Sequence, residues 1–272
     1  MRVWLRAAGL ALIGANPLVA EGVKTSLHPI PRPIVAPDTV QRASSSVLVS
    51  LRPSLRPEEP QPGDLHAENV RFQNWIGAFR TRAAAQGIRR DVLDRAFAGV
   101  TYDAEVIRRD RSQSEFTKQI WDYLDSAASE QRISNGRKAL EEHRAALNRI
   151  ERRYGVEKEI VLAIWGMETN FGSFMGGQNT VHALATLTEG GYRASYFREE
   201  LLTALRIISD GNVSADNMVG SWAGAMGHTQ FMPTSFMRYA VDYNGDGRKD
   251  IWNSVPDALG STANYLESFK WR

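Results

Sequence analysis

The chain has 272 residues, of which 43% are hydrophobic and 24% are charged, as is usual for a globular domain. The net charge is only +2, and the basic residues are scattered without an aromatic platform, so nucleic acid is not expected as the main partner. The chain has no cysteine, which excludes disulfides, thiolate metal sites, a cysteine nucleophile and the lipid-modified cysteine of a bacterial lipoprotein.

Residues 1–20 predict a secretory signal peptide. A basic start is followed by small apolar residues from Ala7 to Ala15, and Ala20 offers a cleavage site. The apolar run is far shorter than the roughly 20 residues that a transmembrane helix needs, and Pro17 interrupts it. We therefore expect an exported, periplasmic protein whose mature form has no transmembrane span. An uncleaved anchor and a misassigned start codon are the alternatives.

Residues 21–64 predict a disordered linker. Eight of the eleven prolines lie between Pro29 and Pro62, mixed with serine and arginine. Such a segment buries too little apolar surface to offset the entropy lost on ordering. We expect an extended tether between the export signal and a folded module.

Residues 65–272 predict one mainly α-helical domain, because apolar residues recur at helical spacing in successive segments. In chain order these residues are Phe72, Trp75, Ile76 and Phe79; Leu93, Ala96 and Phe97; Leu140, Leu147, Ile150 and Tyr154; Phe197, Leu201, Leu205 and Ile208; and Leu259, Ala263 and Leu266. The expected N-terminal caps are Asp91 and Ser195, and Pro256 is expected in the first turn of the last helix. The residues expected to end helices are Gly87, Gly99, Gly155 and Asp210–Gly211.

We expect the protein to be a monomer.

Glu168 closes the apolar stretch that begins at Ile160. Val161, Ile164, Trp165 and Glu168 share one helical stripe, so the stripe that must face the core ends in a carboxylate. Such a group finds a partner, or its pKa rises until it is protonated near pH 7, as the general acid of glycoside cleavage requires. The alternative is a structural glutamate that caps a neighbouring helix or pairs with an arginine.

Residues 220–234 form a glycine-rich segment. Glycines at 220, 224 and 227 permit close approach of the backbone either to a ligand or to a neighbouring helix. Ser221 and Gln230 offer the hydroxyl and amide groups that commonly bind sugar hydroxyls and acetamides. A tight helix crossing with a polar rim is the alternative interpretation.

Residues 242–253 follow the calcium-loop pattern of the EF-hand. Oxygen-bearing side chains stand at loop positions 1, 3, 5 and 9, and Gly247 stands at position 6. Position 12 is Asn253 in place of the bidentate glutamate. The expected calcium ligands are Asp242, Asn244, Asp246 and the carbonyl of Arg248, completed by Asp250 or Asp257. The ion would be structural, and the alternative is a solvated turn.

Together these motifs resemble the membrane-bound lytic murein transglycosylase B family. The resemblance rests on Trp165–Gly172, on the segment from Gly220 to Pro233, and on the Asp-rich loop that directly follows it. It spans residues 65–272 and implies a lysozyme-like α-helical catalytic domain that cleaves the glycan strands of peptidoglycan. Compared with the family, the chain is short at its C-terminus.

The resemblance also implies roles for individual residues. Glu168 matches the catalytic acid and base of the family, and Ser221 and Gln230 match residues of its substrate groove. Arg193 matches a substrate-contacting arginine, and Tyr123 matches a groove tyrosine. A family member carries calcium at the equivalent loop, with an aspartate after the loop as ligand, which Asp257 resembles here.

The implied reaction cleaves the bond between N-acetylmuramic acid and N-acetylglucosamine and leaves a 1,6-anhydromuramic end. It needs a single carboxylic acid and no cofactor, and the sequence shows no second acidic residue in an apolar motif. A hydrolytic muramidase would need a second carboxylate. The other alternative is a calcium-stabilised module that binds peptidoglycan with weak or no catalysis.

Overall fold

Helices dominate the part of the chain that the computed structural model describes, which comprises residues 62–111, 124–125 and 127–271. The helices are α1 (Pro62–Ala85), α2 (Arg90–Ala96), α3 (Ala104–Arg111), α4 (Glu130–Tyr154), α5 (Lys158–Thr169), α6 (Thr180–Gly190), α7 (Ala194–Ser209), α8 (Pro233–Tyr239) and α9 (Val255–Ser268). Two short strands, β1 (Gln178–Asn179) and β2 (Val219–Gly220), pair antiparallel, with Gln178 opposite Gly220 and Asn179 opposite Val219. The prediction of a mainly α-helical fold is confirmed.

The folded part begins before the predicted boundary at residue 65. Helix α1 starts at Pro62, a residue that the sequence analysis assigned to the linker. Proline is tolerated in the first turn of a helix, where its missing N–H has no intrahelical partner. The predicted signal peptide, and the predicted linker up to residue 61, lie outside the described residues.

Two predicted helix caps are wrong, whereas the predicted ends of the longer helices are confirmed. Arg89 precedes α2, and Asp91 lies in the first turn, where its carboxylate pairs with Arg89 and Arg95. Helix α7 begins one residue before Ser195. By contrast, α4 ends at Tyr154 and is capped by Gly155, whose φ of 65° is the left-handed conformation that glycine adopts without strain.

The helices bury two apolar clusters. The larger cluster surrounds α6 and α7, which pack against each other, and also takes in residues from α1, α2 and α8. The smaller cluster is formed by α4, α5 and α9, and Tyr265 on α9 packs against both clusters. Helix α5 also contacts the segment that follows β2, because the Trp165 indole donates a hydrogen bond to His228.

Helices α3, α6 and α8 were not predicted. Helix α6 is buried on most of its surface, because the run from Thr180 to Thr188 is buried apart from His182. A helix that is surrounded by protein has no polar face, so its sequence shows no helical period. None of the helices between residues 62 and 271 that the structure describes is long and apolar enough to cross a membrane.

Candidate active site

Glu168 lies in the last turn of α5, where the predicted stripe is largely buried. Val161, Ile164 and Trp165 belong to the core, and Glu168 itself is partly buried. Among the described residues its carboxyl group has no hydrogen-bond or ion-pair partner. Burial raises the pKa of Glu168 from its ordinary value of 4.5 to about 8. The group is therefore mostly protonated at neutral pH, as a general acid must be.

The end of α5 is tied to the glycine-rich segment through His228. The Trp165 indole Nε1 donates a hydrogen bond to Nδ1 of His228 at 3.0 Å, and both side chains are buried. The hydroxyl of Thr169 donates to the backbone carbonyl of His228 at 3.2 Å. Because Trp165 and Thr169 flank Glu168 on the helix, these bonds fix the turn that carries the acid.

The glycines of the segment approach protein rather than open space. A Cβ atom on Gly220 would lie 2.1 Å from the carbonyl oxygen of Ala225, and one on Gly227 would lie 2.5 Å from that of Ile251. These contacts match the tight packing that the sequence left open as an alternative. The segment is therefore a rigid support for the polar side chains that it carries.

Ser221 and Gln230 both make protein contacts that leave one polar function available. The Ser221 hydroxyl accepts a hydrogen bond from the backbone N–H of Ala225 at 3.1 Å, so its own hydrogen remains for a ligand. The Gln230 amide donates to the carbonyls of Met175 at 3.1 Å and Gly227 at 2.9 Å. Its Oε1 has no hydrogen-bond partner among the described residues. Gln230 thus joins the loop after α5 to the glycine-rich segment.

Arg193 precedes α7 and lies over two aromatic rings. Its guanidinium carbon is 5.5 Å from the ring centre of Tyr196 and 5.3 Å from that of Phe197. Nη1 and Nη2 are buried and have no hydrogen-bond partner within the described part of the chain. Burial lowers the pKa of Arg193, and the charge of nearby Asp110 opposes this change. Tyr123, the other predicted groove residue, lies outside the described residues.

The expectation of no second acid in an apolar setting was wrong. Glu200 lies on the buried face of α7, one turn after Phe197, and burial raises its pKa. Its two carboxylate oxygens accept hydrogen bonds from the backbone N–H of Thr234 at 2.9 Å and from the Thr234 hydroxyl at 2.7 Å. Thr234 stands in the first turn of α8, so Glu200 caps a neighbouring helix. Its position on the predicted apolar stripe of α7 was the signal that could have identified it.

Three of the predicted calcium ligands are brought together. Asp242, Asp246 and Asp257 each place a carboxylate oxygen within 4.8 Å of the others. Ligands at 2.3–2.6 Å from one calcium ion lie within about 5 Å of one another, so this donor set fits the ion. Gly247 has a φ of 89°, as the sharp turn at loop position 6 requires.

The other predicted ligands hold the loop in shape. The Asn244 side-chain oxygen accepts the backbone N–H of Asp246 at 2.9 Å, and the backbone N–H of Arg248 donates to Asp246 at 2.9 Å. Asp250 is not part of the acidic group, because one of its oxygens accepts the backbone N–H groups of the following turn. Of Asp250 and Asp257, which were predicted as alternatives, Asp257 lies close to Asp242 and Asp246.

Asp257 closes the loop from the side of α9. It is fully buried, and its two oxygens accept the backbone N–H groups of Tyr243 at 2.9 Å, Asn244 at 3.0 Å and Asp250 at 3.0 Å. Burial raises its pKa, although these hydrogen bonds favour the charged form. The carboxylate therefore stabilises the loop through its backbone as well as offering oxygen to a cation.

Residues 71–272 match the protein family described as Transglycosylase SLT domain. The chain belongs to this family. Membrane-bound lytic murein transglycosylase B of Escherichia coli (strain K12) is 44% identical over 140 residues, which are 51% of this chain and 38% of that protein. Members of the family therefore include enzymes named for cleavage of murein.

Solved structures of related proteins share the fold. The structure of SltB3 from Pseudomonas aeruginosa in complex with NAG-NAM-pentapeptide matches with a TM-score of 0.72 and 50% identity, over 74% of this chain and 54% of that one. Escherichia coli Slt35 in complex with calcium matches with a TM-score of 0.65 and 35% identity, over 79% and 69%. The lysozyme-like fold class is confirmed. The chain covers about half of SltB3 and less of the murein transglycosylase B.

Proposed function

We propose that the protein is a lytic transglycosylase that cleaves the β-1,4 bond between N-acetylmuramic acid and N-acetylglucosamine in peptidoglycan. The observation that carries the proposal is Glu168, a carboxyl group without a partner whose pKa burial raises to about 8. Membership of the transglycosylase family supports it. So do the two complexes of SltB3, one with NAG-NAM-pentapeptide and one with NAG-anhNAM-pentapeptide, because the second contains an anhydro sugar.

In the first step Glu168 acts as a general acid. Its proton passes to the glycosidic oxygen as the bond between that oxygen and C1 of the muramic residue breaks. Positive charge develops at C1, and the 2-acetamido oxygen of the same sugar stabilises it. The raised pKa makes the proton available at neutral pH, where an ordinary carboxyl group would already be ionised.

In the second step the ionised Glu168 acts as a base. It takes the proton of the muramic 6-hydroxyl while the 6-oxygen bonds to C1 and the acetamido oxygen leaves. The product is a 1,6-anhydromuramic end, no water is consumed, and Glu168 is protonated again for the next turnover. One carboxyl group therefore serves both steps, and no cofactor is needed for catalysis.

The buried acids of the described chain favour this route over hydrolysis. A muramidase would need a second carboxylate to activate water or to attack C1. Both oxygens of Glu200 are engaged by Thr234, and both oxygens of Asp257 accept backbone N–H groups. Asp110 is bound to the backbone N–H of Tyr192 at 2.9 Å. These three acids are held in structural roles, and the Glu189 carboxylate is paired with Arg71 at 2.7 Å. Glu168 has no such partner among the described residues, which favours it as the acid that is available for chemistry.

The remaining predicted residues are assigned to glycan binding. The free hydroxyl hydrogen of Ser221 and the free Oε1 of Gln230 offer one donor and one acceptor to sugar hydroxyl or acetamide groups. Arg193 offers a positive charge to the carboxylates that peptidoglycan carries. Tyr123 is proposed as a groove residue from the family resemblance alone.

Calcium is proposed as a structural ion only. Asp242, Asp246 and Asp257 would hold it, and Asn244 and the carbonyl of Arg248 would complete the shell. When bound, the ion would neutralise the acidic group and tie the loop to the start of α9. The calcium complex of Slt35 supports the assignment.

We place the protein in the periplasm, where its proposed substrate lies, as an exported monomer that acts on glycan strands. The sequence of residues 1–20 supports export. Protease accessibility in spheroplasts tests the compartment, and light scattering of the purified protein tests the oligomeric state.

The deciding experiment is digestion of purified peptidoglycan sacculi followed by mass spectrometry of the products. We expect anhydromuramic ends from the parent protein. Glu168→Gln keeps the shape of the side chain and removes its transferable proton, so release should fall by more than the roughly 10²–10⁴-fold typical of one acid or base group.

Other results would contradict the proposal. Reducing muramic ends would indicate a hydrolytic muramidase. Binding to sacculi without release would indicate a glycan-binding module. Activity of Glu168→Gln within about tenfold of the parent would remove Glu168 from the catalytic role. Glu267→Gln, an exposed substitution on α9, is the matched control.

A further inference from the structure

His228 is the residue at which three segments of the fold meet. Its imidazole accepts the indole hydrogen of Trp165 from α5, and its carbonyl accepts the Thr169 hydroxyl. Its backbone N–H donates to the carbonyl of Ile251 at 2.9 Å, within the Asp-rich loop. The ring also packs against Gly172, because a Cβ atom there would lie 2.2 Å from Cε1 of His228.

The last turn of α5 is closed by backbone hydrogen bonds of its own, among them those from the Asn170 N–H to the Gly166 carbonyl at 3.0 Å and from the Phe171 N–H to the Trp165 carbonyl at 3.4 Å. Glu168 has no partner among the described residues, and α5 ends one residue later. Asn170 and Phe171 then adopt φ values of 47° and 58°, which non-glycine residues tolerate only where neighbouring contacts enforce them. The backbone bonds close the turn on itself, and the hydrogen bonds of Trp165 and Thr169 to His228 join it to the glycine-rich segment. The position of the Glu168 carboxyl group relative to the glycine-rich segment therefore depends on the contacts that Trp165 and Thr169 make with His228.

We propose that His228 is a positioning residue for Glu168, and that its imidazole does this by accepting the indole hydrogen of Trp165. The bond places the last turn of α5 against the segment that bears Ser221 and Gln230. This inference rests on the proposed function, because it assigns His228 a part in aligning the acid with the bound glycan. His228 does not itself touch the reacting atoms.

The chemistry of the contact requires an acceptor at one position. Nδ1 of His228 must present a lone pair to the indole N–H. In an asparagine at this position, the side-chain oxygen is also bonded to Cγ and occupies nearly the same place as Nδ1. Asparagine at 228 therefore keeps the acceptor, whereas leucine keeps the volume and removes it. On the other side, Trp165 is held by the edges of His143 and Phe171, at ring distances of 5.4 and 5.7 Å.

The test compares His228→Leu with His228→Asn, and uses His66→Leu, an exposed histidine on α1, as the matched control. We expect His228→Leu to lower kcat on soluble glycan strands by about 10–100-fold while KM changes by less than about threefold, because small misplacements of a catalytic group cost rate. His228→Asn should recover most of this loss. Melting temperatures of all three variants fix an assay temperature at which each is folded.

Two further measurements separate positioning from folding. Trp165→Phe removes the indole donor together with part of the ring volume, and it should reproduce at least the loss of kcat seen in His228→Leu, with no additional loss in the double variant. The pKa of Glu168, followed by carbon NMR of its carboxyl group, should move from about 8 towards 4.5 in His228→Leu, because a loosened turn admits water. If His228→Leu does not fold, Trp165→Phe tests the same hydrogen bond in its place.

Several outcomes would overturn the inference. The first is an equal loss of kcat in His228→Asn and His228→Leu. The second is additive losses of kcat in the double variant of Trp165→Phe and His228→Leu. The third is an unchanged pKa of Glu168 in His228→Leu. These results differ from failure of the proposed function, in which the parent protein itself would release no anhydromuramic products. The NMR measurement needs no activity and tests the positioning role in either case.

Discussion

Glu168 lies in a partly buried position that disfavours its charged form, and the same burial gives it the raised pKa that its proposed role as a general acid needs. Its pKa in the folded protein is about 8, above the ordinary 4.5, so the folded state holds the proton more tightly than the unfolded state does. Below pH 4.5 both states are protonated and folding carries no penalty. Between pH 4.5 and about 8 the unfolded state ionises first, and stability falls by about 1.4 kcal/mol per pH unit.

We therefore predict that Glu168→Gln stabilises the protein, increasingly so as the pH rises from 5 to 8. At pH 7 the gain should be about 3 kcal/mol, reduced by the cost of burying an amide. Urea unfolding of both proteins at several pH values measures it, with Glu267→Gln as control. A gain that is the same at all pH values would mean that Glu168 has an ordinary pKa. In the parent, kcat should decline above pH 8 as the acid loses its proton.

At the scale of single residues, the sequence identified Glu168 because a carboxylate on an apolar stripe is unusual. The structural role that the sequence left open for Glu168 is filled by Glu200, which caps α8 through Thr234. The two glutamates look alike in sequence, since both continue an apolar stripe. Only tertiary contacts distinguish them, because Glu200 accepts hydrogen bonds from the backbone and the hydroxyl of Thr234 and from the Tyr196 side chain, whereas Glu168 has no donor among the described residues.

At the scale of elements, the loop after α5 and the glycine-rich segment act as one unit, joined by the Gln230 amide and by Thr169. Sequence periodicity predicted the amphipathic helices, such as α4 and α7, since each has one solvent-facing side. It did not predict α6, which is buried on most of its surface. The glycines at 220 and 227 were recognised as sites of close approach, but the sequence did not specify what approaches them.

Because the loop after α5 and the glycine-rich segment are joined, we predict an order in which substitutions in the proposed groove reduce peptidoglycan release. Ser221→Ala and Gln230→Ala should each reduce peptidoglycan release by less than Glu168→Gln, because each removes hydrogen bonds worth about 1–3 kcal/mol when buried. Gln230→Glu should be worse than Gln230→Ala, since a carboxylate oxygen would face the carbonyls of Met175 and Gly227. Rates on sacculi and melting temperatures measure both effects. If Gln230→Glu matched the parent, the amide hydrogens would not anchor the loop.

At the scale of the whole molecule, the Asp-rich loop joins α8 to α9, and α9 packs with α4 and α5 in the smaller cluster. Asp257 connects the loop to α9, because it lies on α9 and accepts hydrogen bonds from the backbone of the loop. The spacing of the loop residues led to the prediction of a calcium site, which stays a prediction. It could not choose between Asp250 and Asp257, since that choice depends on how the chain turns into α9.

We predict that calcium raises the melting temperature of the protein. The folded loop assembles Asp242, Asp246 and Asp257, and the unfolded chain does not, so the ion stabilises the folded state in proportion to its saturation. Asn253 replaces the bidentate glutamate of the EF-hand, so we expect a weak site that fills at calcium concentrations found outside the cytoplasm.

Thermal melts in millimolar calcium and in chelator test this prediction. Asp242→Asn should abolish the difference between the two melts, whereas Asp216→Asn, an exposed change outside the loop, should preserve it. Peptidoglycan release at a temperature where both forms are folded should be equal with and without the ion, since Glu168 needs no metal. Identical melts of the parent protein in calcium and in chelator would show that the loop is a turn held by its own hydrogen bonds.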